Sequence, residues 1–186
     1  MLEPKNKLAG SMSYLIGPMD EVDDLGADWR AMMSQWLWDL DIGVLNPCDK
    51  PTVIAQEDTP TRDRVNLLKL NKDYDGVTKI IKEIVSVDLH LVDLSTFAIT
   101  YVDKDIHMCG SYSEVTYASL EHKPNIVCCK QGKDNVPNWL YGVCDHNCFF
   151  GSWQEVKDYI RYVAFELPPD DKRWRFLDYN KIFNKK

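Results

Sequence analysis

Short apolar runs alternating with longer amphipathic stretches constrain this chain more than any other feature of its sequence. Tyr14-Leu-Ile-Gly-Pro-Met, Gly43-Val44-Leu45-Asn46-Pro47, Thr96–Val102 and Asn125-Ile-Val-Cys-Cys129 have strand length and are bounded by turn residues or polar loops. From Asp24 onward, Leu25, Trp29, Met32, Met33, Trp36, Leu37 and Leu40 recur at steps of three and four, which predicts an amphipathic helix capped by Asp24. Its Trp/Met stripe reads as core. Helical periodicity returns from Arg64 to Leu94 with a break near Asp75-Gly76. It returns again over Tyr112–Glu121, with Ser111 as N-cap and Lys123-Pro124 as stop, and over Trp153–Val163 with Ser152 as cap. Residues 49–62 carry Pro51 and Pro60 among polar residues and read as a surface loop that can serve as a lid. Strands alternating with helices predict a parallel sheet with right-handed crossovers. In such sheets ligands bind beyond the carboxyl ends of the strands. The turn Gly17-Pro18-Met19-Asp20, the loop Asp103–Gly110 and the start of the helix carrying Glu114 then share one rim.

Charge narrows the partners. The 186 residues hold 22 Lys and Arg against 29 Asp and Glu, a formal net charge of −7, so no basic field draws in a nucleic-acid backbone and no polymeric partner is expected. A small anion is still within reach of a single Arg or helix N-terminus. The apolar runs fall far short of the roughly 20 residues that cross a bilayer, and MLEPKNKLAGS lacks the apolar core of a signal peptide. The expectation is a cytoplasmic protein without membrane attachment. Cys48, Cys109, Cys128, Cys129, Cys144 and Cys148 are then expected as reduced and mostly buried thiols. The spacing Cys144-x3-Cys148 around His146 lacks a second ligand pair, so no metal is assigned.

Three side chains on this frame can carry chemistry, and each has a plain structural reading beside the functional one. Glu114, in Gly110-Ser-Tyr-Ser-Glu, suits a helix start because the helix dipole favours negative charge there. Asp88 suits a solvated helix face. Tyr14 suits a buried strand with its hydroxyl satisfied by a neighbour.

Taken together, these residues resemble the nucleoside 2-deoxyribosyltransferase family, including its relatives that hydrolyse 2'-deoxynucleoside 5'-monophosphates. Tyr14-Leu-Ile-Gly-Pro-Met is similar to the family's first strand and turn. Asp88-Leu, followed by Thr96–Val102, resembles its acidic helix end. Gly110-Ser111-Tyr-Ser-Glu114-Val-Thr-Tyr-Ala resembles its nucleophile segment, and Pro137-Asn138-Trp-Leu-Tyr-Gly-Val-Cys-Asp145 its late segment that reaches a neighbouring subunit. For the fold, the resemblance implies one α/β domain of Rossmann-like or flavodoxin-like kind, with a parallel sheet of about five strands and helices on both faces. It spans 13–165, after an N-terminal extension 1–12 and before an aromatic and basic tail 166–186.

For function, the resemblance implies Glu114 as nucleophile on C1', Asp88 as the group that handles the base, and Tyr14 as the hydroxyl that orients Glu114. Gly17, Pro18, Met19, Asp20, Gly110, Ser111, His107 and Asn138 are the expected substrate-binding residues. No cofactor is implied. The partners are a nucleoside or nucleotide and a free nucleobase, and the active unit is a homo-oligomer, dimer or hexamer, with shared sites. The chemistry is coherent: a deoxyribosyl bond breaks through an oxocarbenium-like state, a carboxylate traps the sugar as in retaining glycosidases, and a second carboxyl protonates the departing base. A helix N-terminus is expected to keep Glu114 ionised.

The sequence departs from the pattern at Met108, where transferases carry Asp for the sugar 5'-hydroxyl and the nucleotide hydrolases carry Ser for the phosphate. Asp105 or His107 can stand in, a positive His107 favouring phosphate. Tyr112 replaces a second glycine of the hydrolases. Two alternatives to base transfer therefore stand: hydrolysis of deoxynucleoside 5'-monophosphates, and a non-catalytic nucleotide-binding domain. Asn138 has a second reading as a cap for the turn Trp139–Tyr141, and the cluster Trp139, Tyr141, Phe149 and Phe150 reads as an interface.

Overall fold

The computed structural model describes residues 5–50, 52–166 and 173–174. In chain order its elements are β1 (Met12–Ile16), α1 (Ala27–Trp38), β2 (Gly43–Leu45), α2 (Thr59–Leu70), α3 (Tyr74–Leu94), β3 (Phe97–Val102), α4 (Cys109–Leu120), β4 (Asn125–Cys129), α5 (Leu140–Val143), β5 (Phe149–Phe150) and α6 (Trp153–Phe165). The strands form one sheet in the order β2-β1-β3-β4-β5, every pair parallel. That order is the doubly wound, flavodoxin-like arrangement, and it puts the topological switch between β1 and β3.

Alternation along each strand decides which helix it meets. Leu15, Phe97, Ile99, Ile126 and Cys128 point to one face and pack with Met33 and Leu37 of α1 and Val156, Ile160 and Val163 of α6. Tyr14, Ile16, Ala98, Val102, Val127 and Cys129 point to the other and pack with Leu91 and Val92 of α3, Val115 and Ala118 of α4 and Leu140 of α5. Tyr14 therefore shares its layer with the two helices that carry Asp88 and Glu114. The first layer also takes in Leu8 and Trp174; Lys7 N donates to Ala164 O at 2.8 Å and Trp174 Nε1 to the Tyr159 hydroxyl at 3.0 Å, tying both of these segments to α6.

Several boundaries differ from the sequence-based expectation. Helix α2 begins at Thr59, inside the expected loop, because Asp58 accepts from Thr61 N at 2.9 Å and Pro60 sits in the first turn. The break before α3 falls at residues 71–73 rather than at Asp75-Gly76, since Asp73 caps the helix by accepting from Gly76 N at 2.9 Å. Helix α4 begins at Cys109, so Ser111 lies buried within its first turn and is not its cap. No described helix is long and apolar enough to cross a membrane.

The loop from β1 to α1 is the most constrained segment of the rim. Leu25 and Gly26 are both left-handed, with φ of 54° and 71°. Asp24 accepts from Gly26 N and Asp28 N, each at 3.0 Å. A Cβ on Gly26 would lie 2.3 Å from an Arg30 guanidinium nitrogen and 2.6 Å from Pro18 O. Gly26→Ala is expected to lower stability by about 2 kcal/mol or more, from the left-handed backbone plus overpacking. Urea unfolding measures it, and an unchanged midpoint would contradict this account of the loop.

Candidate active site

Tyr14, Asp88 and Glu114 stand together on the β1 and β3 side of the sheet's switch point, with three charged residues that sequence reading missed: Arg30, Lys50 and Glu57. Tyr14, on the inner face of β1, donates its hydroxyl hydrogen bond to Glu114 Oε1 at 2.6 Å. Asp88 projects from the last part of α3, which turns its buried side toward β1. Its Oδ1 lies 2.6 Å from Lys50 Nζ. The same ammonium lies 2.8 Å from Glu57 Oε1 and donates to Ala55 O at 2.8 Å, so the β2–α2 loop folds back over the site through a fully buried lysine.

Electrostatics here depart from the expected helix-start carboxylate. Glu114 stands in the second turn of α4, where the dipole has faded. Burial pushes its carboxyl up to about 8, and the negative Asp88 and Glu57 push the same way while Tyr14 and Arg30 oppose them. The expectation that the helix N-terminus holds Glu114 ionised is thus corrected: desolvation beats the dipole. Burial also raises Glu57, to about 7, with the Asp88 charge adding to it and Lys50 countering. Asp88 is raised by burial, and Lys50 is the main opposing influence. Tyr14 is held well above the ordinary tyrosine range by burial and by Glu114, which keeps it a proton donor.

Arg30 is wholly buried. Its guanidinium donates to the carbonyls of Leu15 at 3.2 Å, Gly17 at 2.9 Å, Leu25 at 3.1 Å and Gly26 at 3.0 Å. It thereby ties the end of β1 to both left-handed residues of the following loop, and it adds a fixed positive charge facing Glu114. In sequence Arg30 sits beside Trp29 on an apolar stripe, the one signal that it turns inward.

The remaining predicted residues line the rim unequally. Gly17 and Pro18 are buried, Met19 is half-buried and Asp20 is exposed. A Cβ on Gly17 would lie 2.8 Å from the Trp29 ring, so glycine there lets the loop close on α1. Gly110 opens onto free space, with nothing within 4 Å of a Cβ position. His107 is exposed and Met108 is buried, serving as the N-cap position of α4 without a side-chain bond. Asp105 is engaged by Lys104 at 2.7 Å and Gln131 at 3.1 Å, away from the carboxyl cluster. Asn138 is exposed, and no side chain caps α5, which removes the capping reading of Asn138. Of the aromatic cluster, Trp139 and Tyr141 are exposed, whereas Phe149 is buried against Tyr141 and belongs to the core. Cys128, Cys129 and Cys148 are buried, Cys109 is exposed and Cys48 and Cys144 are half-buried, so only half of the cysteines are the buried thiols expected. Among the described residues no three His, Cys, Asp or Glu side chains group as a metal site.

Comparison with known proteins supports the architecture. No family model matches the chain, and no curated protein matches it in sequence. Among solved structures, a 2-deoxyribosyltransferase from the psychrotolerant bacterium Bacillus psychrosaccharolyticus, described as a biocatalyst for nucleoside synthesis, superposes with a TM-score of 0.56 at 15% identity, over 80% of this chain and 92% of the other. A 2-desoxiribosyltransferase from Leishmania mexicana gives a TM-score of 0.48 at 14% identity, over 82% and 98%. The chain thus shares the fold of the Bacillus enzyme across most of its length.

Proposed function

We propose that this protein cleaves the N-glycosidic bond of 2'-deoxynucleosides and passes the 2-deoxyribosyl group to another nucleobase through an intermediate linked to Glu114. The observation that carries the reading is the Tyr14 hydroxyl set at 2.6 Å on the Glu114 carboxyl, with Asp88 in the same crevice at the switch point of the sheet. The shared fold with a 2-deoxyribosyltransferase supports it.

Glu114 supplies the nucleophilic oxygen, and the Tyr14 hydrogen bond leaves its other oxygen aimed at C1'. A sugar without a 2'-hydroxyl tolerates positive charge at C1', so the bond to the base loosens before the bond to Glu114 is complete. The base leaves poorly as an anion and takes a proton delivered through Asp88. A crevice that desolvates its carboxyls, as the raised Glu114 and Glu57 indicate, also excludes water from the glycosyl-enzyme and favours a base as acceptor. Hydrolysis of a 5'-monophosphate shares these first steps. Buried, apolar Met108 offers a phosphate no partner and the Asp105 carboxylate repels one, which leaves exposed His107 on this loop. Assembly of the carboxyl cluster speaks against a purely binding role.

The active unit is proposed to be a homo-oligomer in which Asn138, exposed beside Trp139 at 72% and Tyr141 at 50%, reaches a neighbouring site. The protein is further proposed to act in the cytoplasm.

Glu114→Ala is expected to abolish turnover with the fold intact, and Asp88→Asn to slow it about 10²–10⁴-fold, less for bases that leave easily. The assay mixes a deoxynucleoside with a second free base and separates products by chromatography. A new nucleoside supports transfer; free deoxyribose alone would point to hydrolysis, and full activity of Glu114→Ala would remove the assignment. Dissociating and mixing the Glu114→Ala and Asn138→Ala proteins is expected to restore part of the activity. A fully active monomer in light scattering would contradict shared sites.

A further inference from the structure

The surroundings of Asp88 are at odds with its acting alone as proton donor. An ammonium 2.6 Å from Asp88 Oδ1 favours the ionised carboxylate, whereas the departing base requires a proton. The same Lys50 Nζ is shared with Glu57 at 2.8 Å, and both lysine and carboxyl are shielded, with side-chain exposures of 0% and 19%. One ammonium neutralises one carboxylate. The second must either stay charged beside Glu114 or hold a proton, and Glu57 and Asp88 meet across the one ammonium that they share.

We propose that Glu57, carried by the β2–α2 loop, is the proton store of the site, acting through Asp88, and that Lys50 sets where that proton rests. This inference depends on the glycosidic reading above. As the C1'–N bond breaks, its electron pair stays on the base nitrogen; one proton passes from the Glu57 carboxyl to Asp88 and from Asp88 to that nitrogen, while a Glu114 oxygen bonds to C1'. In the return step the incoming base bonds to C1', Glu114 leaves as a carboxylate, and the proton of the incoming base travels back through Asp88 to Glu57. Substrate and acceptor balance the cycle. Glu57 is accordingly a positioning residue for acid catalysis, and Asp88 the group that meets the base.

Charged or titratable groups face Glu57 from every element around it: charged Lys50 on its own loop, Asp88 from α3, Glu114 from α4 and Arg30 from α1, and the neutral Cys48 thiol after β2 and Tyr14 hydroxyl from β1. Raised to about 7, Glu57 carries its proton below that pH and loses it as pH rises; Glu114, raised to about 8, gains its nucleophilic form over the same rise. Turnover needs one carboxyl protonated and one bare, so kcat/KM is expected to be bell-shaped with both limbs near these values, the pair titrating jointly. Glu57→Gln keeps the shape of the side chain but cannot release a proton.

The test compares the pH profiles of wild type and Glu57→Gln and titrates the glutamate side-chain carboxyls of the wild-type protein by 13C NMR. Glu57→Gln is expected to lower kcat about 10²–10³-fold for a poor leaving base, with KM little changed, and to abolish the alkaline limb. The loss is expected to shrink for nucleosides with activated bases. The Glu57 resonance should titrate near 7 and move higher in Lys50→Met. A bell-shaped profile at wild-type rate in Glu57→Gln, or a Glu57 resonance titrating in the ordinary carboxylate range, would overturn the proposal. A wild type without turnover on any deoxynucleoside would instead overturn the glycosidic reading, and the resonance would then report on the proton store independently.

Discussion

Glu57, Asp88 and Glu114 bring three carboxyl groups into one desolvated crevice, and Lys50 contacts two of them. Two unit charges about 4 Å apart repel by about 4 kcal/mol at an effective dielectric constant of 20, so such a site does not hold three free carboxylates near neutral pH. It relieves the charge by binding Lys50, by facing Arg30, by accepting a hydrogen bond from Tyr14 and by retaining protons. The last of these turns a folding problem into a chemical resource. Carboxyls raised to about 8 and to about 7 share protons across neutral pH, so a bare carboxylate and a protonated carboxyl stand together in one place at one pH.

The fold supplies this arrangement through period-two alternation. Because Tyr14 and Ile16 face the layer of α3 and α4 while Leu15 faces α1 and α6, the Tyr14 hydroxyl meets a helix whose first turns open onto the switch point. A shift of one residue in β1 would send Tyr14 to the α1 side and empty the site of its hydroxyl. Arg30 then fixes the far wall. Its bonds to the Leu25 and Gly26 carbonyls hold Leu25 in a left-handed backbone that a leucine would not keep unaided, which is the sort of strain a binding loop carries when its surroundings over-determine it.

The parts legible in the sequence were those set by local pattern. Four strands, the amphipathic α1 and α6 with its Ser152 cap, and the rim carrying Gly17 and Glu114 follow from apolar periodicity and turn residues. The two-residue β5 is too short to have a period, and Phe149, whose aromatic neighbours suggest an interface, is buried. Asp58-Thr-Pro60 was a helix start passed over in favour of loop composition, and Gly76 marked a first turn rather than a break. Lys50 and Glu57 were hidden for a deeper reason. Their burial comes from contact with Asp88, more than thirty residues away in the chain, and nothing in a polar loop with prolines announces which of its charges will turn inward.

The central claim is that Glu114 forms the bond to the sugar. Incubation with a 2'-fluoro-arabino nucleoside, which slows breakdown of a glycosyl-enzyme, followed by mass spectrometry of the intact and digested protein, tests it most directly. The account predicts a fluorodeoxyribosyl adduct localised to Glu114 and absent from Glu114→Ala. Turnover of the parent deoxynucleoside with no adduct on Glu114, or an adduct at another residue, would contradict it.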